Sequence, residues 1–348
     1  MTMNVGSVVW ATQSGLGILA KAFYDQGVVN RTLVIQHPHY ETHWNWYPQQ
    51  DNRYLPHEVN KFLDGLDVLL LFETAIQWNV AKLAQLKGIP IVLMPMYEWT
   101  PPNLPVIIDK YLCPSLLDLR YYQGKPSRLG AQFIPVPIDK PWRLRSKATH
   151  FVHNAGHGGT GFRNGTPELL QALQYAKSPF RITIRGQPGI VGPKQAKAAE
   201  GRVQALFHKA KFDPRVEYKL GDFAYDTMFN EGDVFIFPEK FNGLSLPLQE
   251  AYASGMLVMA SHRFPSNTWL PTDPLIPVER YNKVQVAIQV EEAVIDPKEI
   301  AHCIDTWYGR DIEEFSIKGK QWAEANSWEV LKPRYTTLLE EVCGTPAK

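Results

Sequence analysis

Cysteine is scarce in this chain: Cys113, Cys303 and Cys343 are the only three in 348 residues. An odd number, so widely spaced, excludes a disulfide framework and a cysteine-based zinc pattern, and it suits a reducing compartment. Long apolar runs are missing too. The longest, "VLLLF" and "IPIVLMPM", fall far short of the ~20 residues that span a bilayer, so no integral membrane contact is expected. The opening "MTMNVGSVVWATQSG" has no basic flank, no long apolar core and no small-residue cleavage site, so a secretory signal is not expected either. A formal net charge of +1 exerts no global pull toward nucleic acid or anionic lipid. No D-x-D occurs, so nothing in the sequence demands a divalent metal. These absences together suit a cytoplasmic protein, or one of the host cytoplasm if the source is viral.

What is present is a globular composition, 45% hydrophobic and 20% charged, long enough for two ordinary domains. Short apolar runs alternate with amphipathic stretches. "VGSVVWA", "TLVIQ", "DVLLLF", "PIVLMP" and "KYLCP" read as strands, with helices in "ILAKAFYDQG" and "AIQWNVAKLAQLKG". Continuous rather than alternating apolar strands separated by helices indicate a parallel sheet covered on both faces. A break at "FIPVPIDKPWRLRSKATH" carries three prolines and a cluster of basic residues. The pattern then restarts with "HFVHNAG", "FRITIRG", "RVEYKLG", "DVFIFPE" and "MLVMAS". The expected class is α/β, two doubly wound Rossmann-like domains facing a central cleft: residues 1–140, residues 141–325, and a helix over 326–348 crossing back to the first domain. Sheets of this kind bind ligands outside the carboxyl ends of their strands, beside helix N-termini, so the loops there matter most.

Three such loops stand out. "QSGLG" (13–17) follows the first strand; Gly15 and Gly17 permit a tight turn, as a plain strand-to-helix connection capped by Ser14 or as a ligand contact. "HNAGHGGTGFRNGTPELLQAL" (153–173) holds five glycines, His157 and Arg163 before a helix starting near Thr166. Backbone N–H groups, a helix dipole and a guanidinium there suit a diphosphate. "FPEKFNGLSLPLQEAYASGMLVMAS" (237–261) places Gly243, Leu244 and Ser245 at the turn into a helix of about nine residues that carries Glu250 and stops at Gly255.

In order and spacing these motifs resemble the large retaining glycosyltransferase family that includes glycogen synthase, sucrose synthase and bacterial mannosyltransferases, which has the two-Rossmann GT-B fold. The matching stretches are "SGLG", "IPVPID" (134–139), "HNAGHGGTGFRNG", "VEYKLGDFAYDTMFNEGDVFIFP", the E-x7-E signature in "NGLSLPLQEAYASGMLVMAS", and "SWEVLKPRYTTLL". Two positions depart from it. The first signature carboxylate is Asn242, and the usual loop lysine is Asn164, with Arg163 just before it and His157 nearest to the loop's other arginine. The resemblance implies a nucleoside-diphosphate sugar, UDP- or GDP-linked, as donor and no further cofactor. It implies that Glu250 bonds the ribose hydroxyls and that Gly243, Leu244 and Ser245 offer N–H groups to phosphate or sugar. It further implies that Arg163 stabilises the leaving diphosphate and that Leu220 to Phe223 line the base. Asn242 would lie beside the sugar and tune its choice.

The acceptor side is less defined. "HPHYETHWNWYPQQDNRYLPH" (37–57) is crowded with aromatics and with His37, His39 and His43. The histidine spacing is loose and no cysteine accompanies it, so an aromatic wall or core filling is expected rather than a metal site. Glu73 and Glu98 end two strands at the cleft, where either can orient an acceptor hydroxyl or serve as a cap or rim ion-pair partner. A small molecule or a glycan needs only a pocket. A DNA acceptor, as for phage enzymes that glycosylate hydroxymethylated pyrimidines, needs a basic track, which "KPWRLRSK" and "RYYQGKPSR" can supply. The non-enzymatic alternative is a protein that binds a nucleotide sugar without turning it over.

Overall fold

The structure is a computed structural model that describes residues 3–10, 15–34, 56–73, 78–157, 163–187, 210, 212–221, 227 and 229–344. It divides into two compact units. The first comprises residues 1–137, 285–288 and 326–348; the second comprises 138–284 and 289–325.

Unit one holds β1 (Val5–Val9), α1 (Gly15–Asp25), β2 (Arg31–Val34), α2 (Pro56–Leu63), β3 (Val68–Glu73), α3 (Trp78–Leu86), β4 (Ile91–Pro95), β5 (Lys110–Cys113), α4 (Leu116–Tyr122) and β6 (Ala131–Phe133). The strands form one parallel sheet in the order β2-β1-β3-β4-β5-β6. Val68 to Phe72 and Ile91 to Met94 are all buried, as strands covered on both faces must be. The order reverses between β1 and β3, so the carboxyl ends of those two strands are where a ligand would be received.

The last helix of the chain, Trp328–Gly344, also belongs to unit one. Its Tyr335 is fully buried and donates its hydroxyl hydrogen to the Pro135 carbonyl at 2.7 Å. Phe23 of α1 packs edge-on against Phe72, Trp328 and Tyr335 at 5.1, 5.1 and 4.9 Å. Aromatic area, rather than helix propensity, therefore anchors this helix, which runs through Pro333 in its sixth position.

Unit two contains β7 (His150–His157), α5 (Thr166–Ala172), β8 (Arg181–Gln187), β9 (Val216–Leu220), β10 (Val234–Phe237), α6 (Leu246–Ala253) and β11 (Leu257–Ala260). A hairpin, β12 (Arg280–Gln285) with β13 (Gln289–Val294), and two helices, α7 (Pro297–Trp307) and α8 (Glu313–Ala325), follow, which makes Trp328–Gly344 α9. The five-stranded parallel sheet runs β11-β10-β7-β8-β9. Here the reversal lies between β7 and β10.

The hairpin was not legible as strands from continuous apolar runs. Its signal is the period-two series Val284, Val286, Ile288 and Val290. Among the described residues no helix is long and apolar enough to cross a membrane.

Candidate functional site

Two loops meet where the order of the second sheet reverses, one following β7 and one following β10. They are laced together by residues with little conformational choice. His153 of β7 is fully buried. One ring nitrogen, Nδ1, lies 2.8 Å from the Ile236 carbonyl, and the other, Nε2, lies 2.8 Å from Thr166 Oγ1. A carbonyl only accepts, so Nδ1 carries the hydrogen and Thr166 donates to Nε2. Burial lowers the imidazole to about 4, against the opposing effect of the Ile236 bond, so the ring is neutral. It joins β7, β10 and the first residue of α5.

Gly165 is left-handed at φ 72, and a Cβ there would stand 2.0 Å from the Pro238 carbonyl oxygen. Only glycine lets the two loops approach so closely. The Lys240 N–H donates to the Arg163 carbonyl at 2.7 Å. Asn164, at the position of the family's lysine, donates its side-chain amide to the Asn154 carbonyl at 3.1 Å and so closes the loop onto β7.

The loop after β10 is built around a buried carboxylate that sequence reasoning passed over. Glu239 is 1% exposed. Its Oε2 accepts the Ser245 hydroxyl at 2.6 Å, and its Oε1 lies 3.3 Å from Arg263 Nη1. The same Nη1 donates to the Asn242 carbonyl at 3.0 Å, while Asn242 Oδ1 accepts the Ser245 N–H at 3.0 Å. Glu239, Ser245, Asn242 and Arg263 thus form a closed ring. Burial raises the Glu239 carboxyl above its usual range, and Arg263, the Ser245 hydroxyl and Arg163 pull it back. Arg163 is therefore close enough to act on the same carboxylate.

Ser245 itself is left-handed, at φ 48 and ψ 57, which costs a non-glycine residue about 1–3 kcal/mol. The Ser245 N–H expected to face phosphate or sugar is engaged within the loop instead, by the Asn242 amide oxygen.

Glu250 lies on α6, where every residue from Leu248 to Ala253 is buried. It is 4% exposed, and Lys140 Nζ lies 3.6 Å from its Oε1. Glu250 is thus a buried acid facing a half-buried ammonium rather than a solvated helix residue. The far end of α6 is held by Arg145, which is 3% exposed and donates to the carbonyls of Ser254, Arg143, Gly232 and Phe229. Burial lowers this guanidinium to about 9. Arg143 donates to the Gly232 carbonyl as well. Of the four cations in "KPWRLRSK", Arg145 is buried and Lys140 is half-buried, while Arg143 and Lys147 remain exposed. Lys240, in turn, lies 2.7 Å from Glu168 of α5 and 3.7 Å from Glu292 of β13, which braces the Arg163 loop from below.

Other expected residues lie elsewhere. His157 and Leu220 end β7 and β9, at the carboxyl side of the same sheet. Phe223, the 188–209 stretch and the aromatic loop with His37, His39 and His43 fall outside the described residues. In unit one, Gly15 and Gly17 occupy the first turn of α1 and Glu73 ends β3, so all three flank the reversal point of the first sheet. Glu73 is left-handed at φ 60, and its carbonyl accepts the Thr100 hydroxyl.

The rim position expected for Glu98 is corrected: it is 0% exposed. Instead it neighbours Asp118, which accepts the Tyr97 N–H at 2.8 Å and the Ser115 hydroxyl. Burial first, and the Glu98 charge next, push Asp118 up to about 7 against those bonds. Two carboxyls turned into one interior repel, which is the direction of the Asp118 shift. Among the described residues no group of three or more His, Cys, Asp or Glu could hold a metal ion.

No protein-family model matches the chain, and no curated protein matches it in sequence. Solved structures do. A glycosyltransferase from Rickettsia africae superposes with TM-score 0.69 at 14% identity, covering 99% of both chains. The sucrose-phosphate synthase of Thermosynechococcus elongatus gives 0.65 at 14%, over 98% of this chain and 99% of that one. HepE of Anabaena, solved in complex with UDP and glucose, gives 0.66 at 10%, over 99% and 100%. At such identities the likeness speaks for the fold: this chain has the GT-B fold, with two Rossmann-like parallel sheets.

Proposed function

We propose that this protein is a glycosyltransferase that moves a sugar from a nucleoside-diphosphate sugar to an acceptor hydroxyl, with retention and without a metal ion. One observation carries the reading. Arg163 and the turn at Gly243 to Ser245 are brought together at the reversal point of the second sheet, with Glu250 one helix turn beyond. Breaking the sugar–phosphate bond leaves charge on the diphosphate, and donors already in place for that charge are the strongest lever a protein has over this step. Arg163 supplies positive charge there, and Glu250 supplies an acceptor for ribose hydroxyls. The new bond joins the anomeric carbon to the acceptor oxygen, whose proton leaves with the nucleoside diphosphate or to water.

Support comes also from the solved neighbours, one of which holds UDP and glucose and another of which, a trehalose-6-phosphate synthase, is described as transferring with retention. On the acceptor side, Glu73 takes the role previously shared with Glu98. Its strained backbone at the end of β3 is a conformation that persists where surrounding structure imposes it, and such positions cluster at functional sites. A small molecule or glycan is the acceptor class favoured here over DNA, since the formal net charge of +1 gives no global pull toward a polyanion.

The test is a thermal-shift panel of UDP- and GDP-sugars, because a ligand that binds the folded state raises its stability by mass action. A donor found this way is then incubated with candidate acceptors, and the anomeric configuration of the product is read by NMR. Stabilisation by no nucleotide sugar overturns the reading. Stabilisation without transfer or hydrolysis would leave a binding protein, and an inverted product would overturn retention.

A further inference from the structure

Ser245 departs twice from what a serine does at its position. It is the N-cap of α6, where a serine ordinarily has extended backbone and accepts a hydrogen bond from the first helical turn. Here the backbone is left-handed and the side chain makes no capping bond. Its hydroxyl donates instead to Glu239, at 2.6 Å, in an environment where Ser245 is 4% exposed and Glu239 is 1% exposed. Glycine would adopt this conformation freely, yet glycine stands two positions earlier, at Gly243, and a serine with a directed hydroxyl stands where the strain is. Among the described residues Glu73 and Ser245 are the only non-glycines at positive φ. The same carboxylate also engages Arg263, which holds the other end of the turn through the Asn242 carbonyl.

We propose that Glu239 is a positioning residue: by accepting the Ser245 hydroxyl it holds Ser245 left-handed, and with it the turn that carries Gly243 and Leu244 to the carboxyl end of β10 for a nucleoside diphosphate. Glu239 itself touches no ligand. This inference rests on the donor-site reading above, and it assigns the shape of that site to a residue outside the family signature.

The experiment turns on the difference between alanine and glycine. Ser245→Ala removes the hydroxyl and keeps the strain, whereas Ser245→Gly removes both. UDP affinity, measured calorimetrically on the full chain, should fall on the order of 10-fold for Ser245→Ala and clearly less for Ser245→Gly. Glu239→Gln should weaken UDP in the parent and have little further effect on the Ser245→Gly background, since a glycine needs no holding. If alanine and glycine weaken UDP alike, the hydroxyl serves the ligand directly and the proposal fails. It fails too if Ser245→Ala binds as the parent does, or if Glu239→Gln acts equally on both backgrounds.

Should Glu239→Gln not fold, the Ser245 pair decides alone. If the parent binds neither UDP nor GDP, the donor reading falls. The melting temperatures still judge the holding role: Ser245→Ala several degrees below Ser245→Gly supports it, and equal values overturn it.

Discussion

Replacing Glu250 with glutamine separates two things this residue does. The carboxylate faces Lys140 at 3.6 Å with side chains only 6% and 11% exposed, and it is proposed to accept ribose hydroxyls. Glu250→Gln keeps the volume and one acceptor oxygen but removes the charge. At an effective dielectric near 20, charges 3.6 Å apart attract by about 4–5 kcal/mol before desolvation is subtracted. The pair is longer than a hydrogen bond, so a net stability loss of about 1–3 kcal/mol is expected. Binding changes separately. A hydrogen bond to a charged acceptor contributes about 1.5–3 kcal/mol and a neutral one about 0.5–1.5, so UDP affinity should fall roughly 10-fold.

The decisive comparison uses UDP and its 2′,3′-dideoxy form in calorimetric titrations of both proteins. The parent should prefer UDP by roughly 10-fold or more, and Glu250→Gln should lose most of that preference. If glutamine weakens both ligands equally, the lost affinity came through Lys140 or the fold, and Glu250 does not read the ribose.

Arg163→Ala should lower turnover by about 100-fold or more with a smaller loss of donor affinity, because the guanidinium acts on charge that develops during reaction; steady-state kinetics checks this, and unchanged turnover in a folded variant removes the role. Transfer should survive excess chelator, and abolition with rescue by manganese or magnesium would overturn the metal-independent reading. His153 makes stability fall with acid. Its folded value of about 4 lies below the ordinary 6.5, so the neutral ring stabilises fully above pH 6.5 and this contribution is lost as pH drops toward 4, about 3 kcal/mol in all. Asp118, raised to about 7, has the opposite sign over an overlapping window, so the measurement is the pH dependence of the stability difference between the parent and His153→Gln. A constant difference from pH 7 to 4 would mean that the imidazole is not buried neutral. Asn242→Asp keeps an acceptor for the Ser245 N–H and removes an amide donor, so it should reorder preference among sugars of one nucleotide, and the charge added near Glu239 should also weaken free UDP; calorimetric titration with UDP and several UDP-sugars checks both.

The sheets were legible because their strands are buried on both faces and read as continuous apolar runs: Val68 to Phe72, Ile91 to Met94 and Val234 to Phe237 need no alternation to be recognised. The hairpin of β12 and β13 was harder, since every residue of β12 but Val284 is exposed and its pattern is period two without a run. The loops were legible as loops, and glycine at 165 is required by the Pro238 backbone beside it. What sequence could not supply is which charged residue of a loop turns inward. Glu73 ends β3 and Glu98 lies in the turn after β4, yet Glu98 has no accessible surface while Glu73 is half-buried at a strained strand end.

The same limit explains why Glu239 and Arg263 were missed. A charged residue just after a buried strand reads as the start of a solvated loop, and nothing local says that its partner stands 24 residues on, after β11. Only the parallel pairing of β10 with β11 brings the two strand ends side by side, in register from Val234 opposite Leu257 to Phe237 opposite Ala260. That adjacency also changes how Asn242 is understood. Where the glycosyltransferase signature that this stretch resembles has an acid, the amide of Asn242 accepts the Ser245 N–H, while the acid of the loop, Glu239, stands three residues earlier and accepts the Ser245 hydroxyl. A second carboxylate at 242 would lie close to Glu239 in a buried turn, and like charges there would each raise the other's pKa and weaken the hold of Arg263. Neutrality at 242 is thus consistent with charge at 239: the loop keeps one negative group, held by Arg263 and the Ser245 hydroxyl.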